Sequence, residues 1–412
     1  MDRVAARRSP WQAVGAATLV VALAACSSEQ PEPAPPMAAP SPSASAEPSA
    51  SAGPGVSPSA GSAGGVPGCV DQTVARLSVE ERAGQLLMIG TSVEDPRKLS
   101  GAVTRYHLGG VFLAGRSKRS AAALKADIAA LQGAAKMPLL VALDQEGGSV
   151  QTLKGSDFPL IPSAERLGAG PEAKLRATVR DSAERLDGIG VTVNLAPVAD
   201  TVPKDIGEAN PPIGGFHRQY GSDPDEVAAD VETVVAASQG AGVLTILKHF
   251  PGLGRVRANT DTSTKAVDST ATADDPYLKP FAAGIKAGSA GVMVSSARYP
   301  KLDPGSIAAF SKPIITGLLR ERLGYTGLVM SDDVGAADAT ESVPAGQRAV
   351  RFVQAGGDLV LTIRPQDVVP MSKALADAAR KSPVFDARMS DAARHVVQSK
   401  YRAGLLSCPA SP

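Results

Sequence analysis

The sequence is poor in aromatic residues, cysteine and histidine, and it carries almost no net charge. Aromatic residues make up 4% of the 412 residues, so a folded core has to be built mainly from Val, Leu, Ile and Ala. The three cysteines and four histidines do not fall into the Cys–His spacings of metal sites. A formal net charge of +1 at pH 7 gives no indication of nucleic-acid binding. A content of 43% hydrophobic and 20% charged residues is typical of a globular protein.

The start of the chain has the pattern of a bacterial lipoprotein signal peptide. Arg3, Arg7 and Arg8 form a basic segment, and the apolar segment at residues 11–25 is too short for a resident transmembrane helix. The run LAAC, which ends at Cys26, resembles a lipobox and implies cleavage after residue 25 and lipidation of the Cys26 thiol. A plain secretory signal, whose cysteine follows small residues by chance, is the alternative. Lipidation would anchor the protein to the outer face of the cell membrane.

A segment without large apolar side chains follows. Residues 27–65 are mostly Pro, Ser, Ala and Gly and cannot bury enough surface to offset the entropy of ordering. We therefore predict a disordered linker over residues 26–68 and a folded domain over residues 69–412. Cys69 and Cys408, near the two ends of that domain, are predicted to form a disulfide outside the cytoplasm, and two free thiols are the alternative.

Eight short apolar segments alternate with stretches that can hold helices. The predicted strands are residues 86–90, 110–114, 139–144, 191–197, 243–248, 291–295, 328–331 and 358–362. Between and after them, apolar residues recur at helical spacing, for example in segments 121–131, 228–237, 371–379 and 390–401. A strand and a helix repeated eight times favour an α/β fold of the (β/α)8 TIM-barrel type, with a single catalytic domain, over a doubly wound sheet.

Charged residues follow several of the predicted strands. In a parallel barrel, the carboxyl ends of all strands open onto one common mouth. Asp144 ends the third strand, Lys248 and His249 lie at the end of the fifth, and Asp332 and Asp333 follow the seventh. Salt bridges at the top of a barrel would need some of these charges, but hardly all of them. Carboxylates and lysine can hydrogen-bond to ring hydroxyls, so a carbohydrate or another polyol is a suitable substrate.

Three motifs are similar to those of glycoside hydrolase family three: residues 144–148 (DQEGG), 248–252 (KHFPG) and 331–333 (SDD). Over residues 75–405 the chain resembles the single-domain, NagZ-type β-N-acetylglucosaminidases of that family, and its lipobox and linker resemble the actinobacterial lipoprotein members. The resemblance implies retaining exo-hydrolysis of terminal β-GlcNAc from peptidoglycan fragments (GlcNAc-MurNAc) in cell-wall turnover. We accordingly expect peptidoglycan-derived oligosaccharides as partners, a monomeric protein and no cofactor or metal.

The resemblance also implies roles for individual residues. Asp332 matches the nucleophile, an ionised carboxylate that attacks the sugar on the face opposite the leaving group. Asp144, Lys248 and His249 match residues that bind the sugar hydroxyls. Arg218 falls where the family carries a sugar-binding arginine, and a surface arginine is the alternative at this position.

The remaining candidates are given structural roles. Asp333 is predicted to point away from the site, because neighbours alternate along a strand, and to cap the following helix. His107, His217 and His395 have no pattern of partners around them and are predicted to be structural or surface residues.

Two segments depart from the family pattern. NagZ-type enzymes usually carry Asp-Ser-His on a mobile loop after the Lys-His motif, and that His is the general acid/base. Counted without a gap, the three places are Asn259, Thr260 and Asp261 here, and we predict that Asp261 takes the acid/base role. Residues 149–152 are SVQT where the family usually has Arg-Val-x-Arg, so an arginine that normally helps to hold the sugar is missing. The loop at residues 252–264 has few apolar anchors and is predicted to be mobile and to close over the substrate.

Two other functions are compatible with these residues. One is a β-glucosidase or another exo-glycosidase of the same family. The other is a lipoprotein that binds muropeptides without turnover because its acid/base has been lost. The retained Asp332 and the acidic residue at position 261 count against the second.

Overall fold

The computed structural model describes residues 66–408. Cys26, the predicted signal peptide and nearly all of the predicted linker lie outside the described residues. The first helix, α1 (Val66–Ala75), begins ahead of the predicted domain start at residue 69. No helix in this part of the chain is long and apolar enough to cross a membrane.

Eight strands form one parallel sheet, and each overlaps a predicted segment. They are β1 (Leu87–Ser92), β2 (Gly110–Ala114), β3 (Leu140–Leu143), β4 (Val193–Asn194), β5 (Leu244–Phe250), β6 (Gly291–Val294), β7 (Leu328–Ser331) and β8 (Val360–Thr362). Strands that follow one another from β1 to β7 are hydrogen-bonded neighbours, and β8 pairs with β1. The ring closes between β7 and β8, where Met330 forms a bridge with Leu359. The predicted (β/α)8 barrel is confirmed.

Helices surround the barrel. They are α2 (Val79–Gln85), α3 (Ser100–Tyr106), α4 (Ala121–Ala134), α5 (Ala164–Gly168), α6 (Glu172–Gly188), α7 (Pro224–Gly240), α8 (Lys279–Lys286), α9 (Ala345–Ala355), α10 (Val368–Lys381) and α11 (Pro383–Arg402). A wider helix of π type, Pro313–Arg322, precedes β7. The helices predicted at 121–131, 228–237, 371–379 and 390–401 are confirmed and extend beyond the predicted bounds. Side-chain caps explain several starts, such as Ser120 on α4 and Asp223 on α7.

The interior of the barrel is packed with side chains, because alternate positions of each strand point inward. The cluster includes Met88, Phe112, Leu140, Ala142, Val193, Leu195, Leu244, Ile246, Met293, Met330 and Leu361. Val396 of α11 reaches the same cluster, and Arg402 at the end of α11 donates to the carbonyl of Gly288, which precedes β6. The last helix therefore covers the amino-terminal end of the barrel, and the carboxyl ends of the strands form the open end.

The two ends of the described chain are joined. Cys69 and Cys408 form the predicted disulfide, with their Cα atoms 5.7 Å apart. Alongside it, α1 packs against α11, and the hydroxyl oxygens of Thr73 and Tyr401 lie 3.2 Å apart. The bridge closes a loop of the chain that contains the whole barrel.

The three histidines outside the predicted site occupy structural positions. His395 lies on α11 with its Nδ1 3.0 Å from Oδ1 of the buried Asp358. His217 contacts Glu165 in the same way, at 2.8 Å, and His107 ends α3 in a left-handed turn with φ at 53°. These environments agree with the structural or surface roles predicted for them.

Candidate active site

The open end of the barrel contains a cavity of about 560 Å³. Its walls bring together the six residues that sequence analysis assigns to the sugar and its chemistry: Asp144, Arg218, Lys248, His249, Asp261 and Asp332. They come from the carboxyl ends of β3, β5 and β7 and from two loops, so the fold alone assembles them. Apolar side chains from the barrel interior, including Met293 and Leu361, form part of the same wall.

A buried ion network forms one side of this cavity. The Nζ of Lys248 lies 2.7 Å from Oδ1 of Asp144 and 2.5 Å from Oε1 of Glu146. Arg218 grips Glu146 with two parallel bonds, Nε to Oε2 at 2.8 Å and Nη2 to Oε1 at 2.7 Å, and its Nη1 donates to the carbonyl of Pro212. Arg218 is therefore not a surface arginine. Glu146, to which sequence analysis gives no role, is the centre of the network.

The opposite charges in the network determine its protonation. Burial acts to raise the pKa of Glu146, but the charges of Arg218 and Lys248 outweigh it and hold that pKa at about 2. Burial acts to lower the pKa of Lys248, and the carboxylates of Asp144 and Glu146 reverse this and raise it above its usual value. The network is thus ionised at neutral pH and offers substrate hydroxyls a rigid set of donors and acceptors.

His249 is oriented by a second buried carboxylate. Its Nδ1 lies 2.7 Å from Oδ2 of Asp200, and its backbone N–H also donates to Asp200. The N–H of Leu253 donates to the same carboxylate at 2.7 Å. The other ring nitrogen, Nε2, lies 3.5 Å from Nη2 of Arg218. Asp200, which sequence analysis leaves without a role, therefore holds both the imidazole and the start of the loop that follows β5.

Asp332 directly follows β7. Its N–H donates to the carbonyl of Val294 at the end of β6, and its Oδ1 accepts the N–H of Asp333 at 2.8 Å. Within residues 66–408, no other hydrogen bond or ion pair holds this carboxylate. Burial raises the pKa of Asp332 to about 6, with the charge of His249 acting against this shift and the carboxylate of Asp261 acting with it.

The carboxylate of Asp333 accepts hydrogen bonds from backbone N–H groups. Its Oδ1 accepts N–H groups of Gly335 and Ile363 at 2.9 and 3.0 Å, and its Oδ2 accepts that of Ala336 at 3.0 Å. These bonds tie the turn after β7 to the segment after β8. The predicted helix cap is wrong, because the chain forms a turn here and the next α-helix begins at Ala345.

Asp261 stands on the exposed rim of the cavity, on the loop at residues 252–264. The Oδ1 of Asn259 accepts the N–H of Asp261 at 2.9 Å, so Asn259 holds the backbone of Asp261 rather than its carboxylate. The carbonyl of Asp261 accepts the N–H of Asp338, which connects the loop to the segment after β7. These contacts hold the backbone of Asp261 at the rim, and its carboxylate acts on the pKa of Asp332.

The first half of that loop is anchored more firmly than the sequence predicts. Leu253 and Val256 are buried, and the Nδ2 of Asn210 donates to both of their carbonyl oxygens, at 2.7 and 2.8 Å. The loop was predicted to have few apolar anchors, and these two residues hold its first half. Its mobility and closure stay a prediction.

The segment that lacks the family arginine has an arginine beside it. Thr152 is buried, and its N–H donates to the carbonyl of Asp144. Ser149 is exposed and lines the cavity, and the Nη2 of Arg116 donates to its carbonyl oxygen at 3.2 Å. Arg116 comes from the loop after β2 and also lines the cavity, so a guanidinium is present at this rim although it belongs to a different part of the chain.

Comparisons with known proteins identify relatives of this chain. The family model described as "Glycosyl hydrolase family 3 N terminal domain" matches residues 78–399. A β-hexosaminidase of Xylella fastidiosa (strain M23) is 38% identical over 277 residues, which are 65% of this chain and 79% of that protein. The crystal structure of a β-N-acetylhexosaminidase from Beutenbergia cavernae DSM 12333 has a TM-score of 0.78 and 43% identity, covering 79% of this chain and 99% of that one. LpqI of M. tuberculosis has a TM-score of 0.69 and 27% identity, covering 80% and 96%.

Proposed function

Because the chain belongs to glycosyl hydrolase family 3, we propose that it is a retaining exo-β-N-acetylglucosaminidase that removes terminal β-GlcNAc from peptidoglycan fragments. The observation that carries the proposal is that the same cavity is lined by a weakly held carboxylate, Asp332, and by the ionised network around Lys248. One side of this cavity can react with a sugar while the other holds it. The similarity to β-hexosaminidases supports an N-acetylhexosamine as that sugar.

Asp332 acts as the nucleophile. Its Oδ1 is held by the N–H of Asp333, whereas Oδ2 has no partner among the described residues and can approach the anomeric carbon. With a pKa of about 6, the carboxyl is mostly ionised at neutral pH, as a nucleophile must be. Its attack forms a glycosyl-enzyme ester and expels the oxygen of the leaving group.

Asp261 acts as the general acid and base. It gives a proton to the departing oxygen in the first step and takes one from the attacking water in the second. Its exposed position on the rim is open both to the leaving group and to water. The carboxylate of Asp261 acts to raise the pKa of Asp332, so the two groups interact across the cavity.

The ion network and His249 bind the sugar. Asp144 accepts from ring hydroxyls, and Lys248 and Arg218 donate to ring oxygens. Glu146 does not contact the sugar in this scheme, because its oxygens are occupied by Arg218 and Lys248. It keeps the two cations in position.

The sequence at the start of the chain supports a proposal for the protein's cellular location. The signal-like segment, the lipobox-like run ending at Cys26 and the Pro-rich linker support a lipoprotein on the outer face of the cell membrane. From there the linker would let the barrel reach fragments released during cell-wall turnover.

The experiment that tests the proposal compares substrates on the full chain. Hydrolysis of an aryl β-GlcNAc and of the disaccharide GlcNAc-MurNAc, with the β-anomer of GlcNAc formed first, is the expected result. Faster hydrolysis of the aryl β-glucoside would identify a β-glucosidase instead. Binding of GlcNAc-MurNAc in calorimetry without turnover of any glycoside would identify a binding protein and overturn the proposal.

A further inference from the structure

A second cavity, of about 430 Å³, adjoins the active-site cavity at its rim. Arg116 lines both, so the two spaces meet at this side chain. The other residues around the second cavity are Glu94, Ser117, Lys118, Arg119 and Lys154. Four of the six lining residues are cationic and one is acidic.

The fold brings these cations together through a pairing of two loops. The N–H of Ser117 donates to the carbonyl of Thr152 at 2.8 Å, and the N–H of Lys154 donates back to the carbonyl of Ser117 at 2.9 Å. The loop after β2 therefore runs beside the segment that follows β3. Lys118 and Lys154 lie on these two neighbouring segments, close to Arg116.

Most of this positive charge has no counter-ion. Arg119 is neutralised, because its Nη2 lies 2.6 Å from Oδ2 of Asp127. Among residues 66–408, Arg116, Lys118 and Lys154 form no ion pair. Their positive charges repel one another. A surface that mixes positive and negative charges would not carry this repulsion.

Arg116 is held so that part of its guanidinium stays available. Its Nη1 and Nη2 donate to the carbonyl oxygens of Gly115 and Ser149, at 2.9 and 3.2 Å. A guanidinium has five N–H donors, so these two bonds fix its position and leave donors for a ligand. An arginine held in this way is preorganised for a carboxylate.

We propose that the cations around this second cavity, which we name the basic pocket (Arg116, Lys118 and Lys154), bind a carboxylate on the leaving-group half of the substrate. The inference rests on the proposed function, in which the sugar occupies the deep cavity and the leaving group extends over the rim. In GlcNAc-MurNAc the leaving sugar carries a lactyl carboxylate, and in peptide-bearing fragments the peptide carries carboxylates further out. The basic pocket thus selects among leaving groups, a task distinct from recognising GlcNAc.

The test uses three saccharides that differ only in the leaving group. They are GlcNAc-MurNAc with a free lactyl carboxylate, the same disaccharide as its neutral lactyl carboxamide, and the disaccharide whose lactyl group carries a dipeptide with free carboxylates. We expect kcat/KM for one or both acidic saccharides to exceed that for the carboxamide, and the excess to shrink as salt is raised. Preference for the first saccharide identifies the lactyl carboxylate as the ligand, and preference for the third identifies the peptide. Equal values for all three would overturn the inference.

Variants connect the preference to the basic pocket. Arg116→Gln should reduce the ratio of acidic to neutral kcat/KM by about fivefold, the upper range for an exposed ion pair. The double variant Lys118→Gln, Lys154→Gln should reduce it in the same direction. Lys381→Gln, an exposed lysine at the carboxyl end of α10, is the matched control and should keep the wild-type ratio.

The outcomes separate this inference from the proposed function. A preference that survives in both basic-pocket variants would overturn the inference while the hydrolase itself stands, because the neutral carboxamide reports on the hydrolase in every variant. Failure to hydrolyse any of the three saccharides would overturn the proposed function and, with it, the leaving group on which the inference rests.

Discussion

The two sides of the active-site cavity are built in opposite ways. On the binding side, Glu146 is saturated by Arg218 and Lys248, and its pKa is held at about 2. On the reacting side, Asp332 has one hydrogen bond to its carboxylate, and its pKa is raised to about 6. Carboxyl groups of the same kind are thus pushed in opposite directions by their surroundings. In the proposed function, the saturated side positions the substrate, and the under-bonded side keeps its charge available for the reaction.

The largest effect is expected from the nucleophile. Asp332→Asn keeps the shape of the side chain and removes the attacking oxygen, so kcat/KM for an aryl β-GlcNAc should fall by about 10⁴-fold or more. The melting temperature should not drop, because Asp332 forms no ion pair that the change would break. Measurable burst or steady turnover near the wild-type rate would show that another group attacks the sugar.

The next effect is expected from Asp261 and should depend on the leaving group. Asp261→Asn removes the proton donor, so turnover of saccharides with poor leaving groups should fall by about 10² to 10³-fold, the usual range for a general acid. A dinitrophenyl glycoside, which leaves without a proton, should lose much less in its glycosylation step. Thr262→Ala is the control on the same loop, since this exposed side chain does not line the cavity. An unchanged dependence on leaving-group pKa in Asp261→Asn would remove this residue from the acid role.

A substitution in the ion network of the binding side should have a smaller effect, which we expect in stability and substrate affinity. Glu146→Gln leaves the charges of Arg218 and Lys248 without their shared partner, so the free energy of unfolding should drop by about 3 kcal/mol. KM should rise more than kcat falls. Glu172→Gln, whose ion pair with Arg176 is exposed on α6, is the matched control and should change neither quantity appreciably. A Glu146→Gln variant as stable as the wild type would mean that the network is not cooperative.

The carboxylate of Glu146 should also make the stability of the protein depend on pH. Because the folded-state pKa of Glu146 lies below its ordinary value of 4.5, its contribution to stability is fully present above pH 4.5 and is lost as the pH falls towards about 2. In Glu146→Gln, the part of the acid unfolding transition that falls in this window should flatten.

The fold could be predicted because buried parallel strands are continuous apolar runs with turns between them. The largest departure in extent is β4, predicted over 191–197 but paired regularly only at Val193–Asn194. Pro197 has no N–H to give to a ladder, and its carbonyl oxygen accepts the N–H of Lys248. The next donor from this segment to β5 is the N–H of Ala199, which donates to the carbonyl of Lys248 at 2.7 Å.

The candidate site was harder to predict from the sequence than the fold. The motifs identified residues that line the cavity. Identifying the residues that hold them in place requires distances between strand ends, which a sequence does not give. Glu146 lies two positions after Asp144, on the same side of an extended chain, and this spacing was a signal for its role. Asp200 and Arg116 gave no comparable signal, because their partners lie on other strands or loops. The cap predicted for Asp333 failed because a turn replaced the helix.

The smallest effect expected is a shift in a pH profile, and it tests whether the reacting side behaves as a coupled pair. Asp332 has to be ionised, so kcat/KM should fall as the pH drops below about 6, by tenfold per pH unit at the low end. The charge of Asp261 helps to raise this pKa, so in Asp261→Asn the acid limb should move to lower pH. A dinitrophenyl glycoside is the right substrate for this measurement, since its departure needs no acid, and Asp225→Asn, an exposed carboxylate on α7, should leave the limb in place. An acid limb that does not move in Asp261→Asn would mean that burial alone sets the pKa of Asp332, and that the two carboxylates act independently.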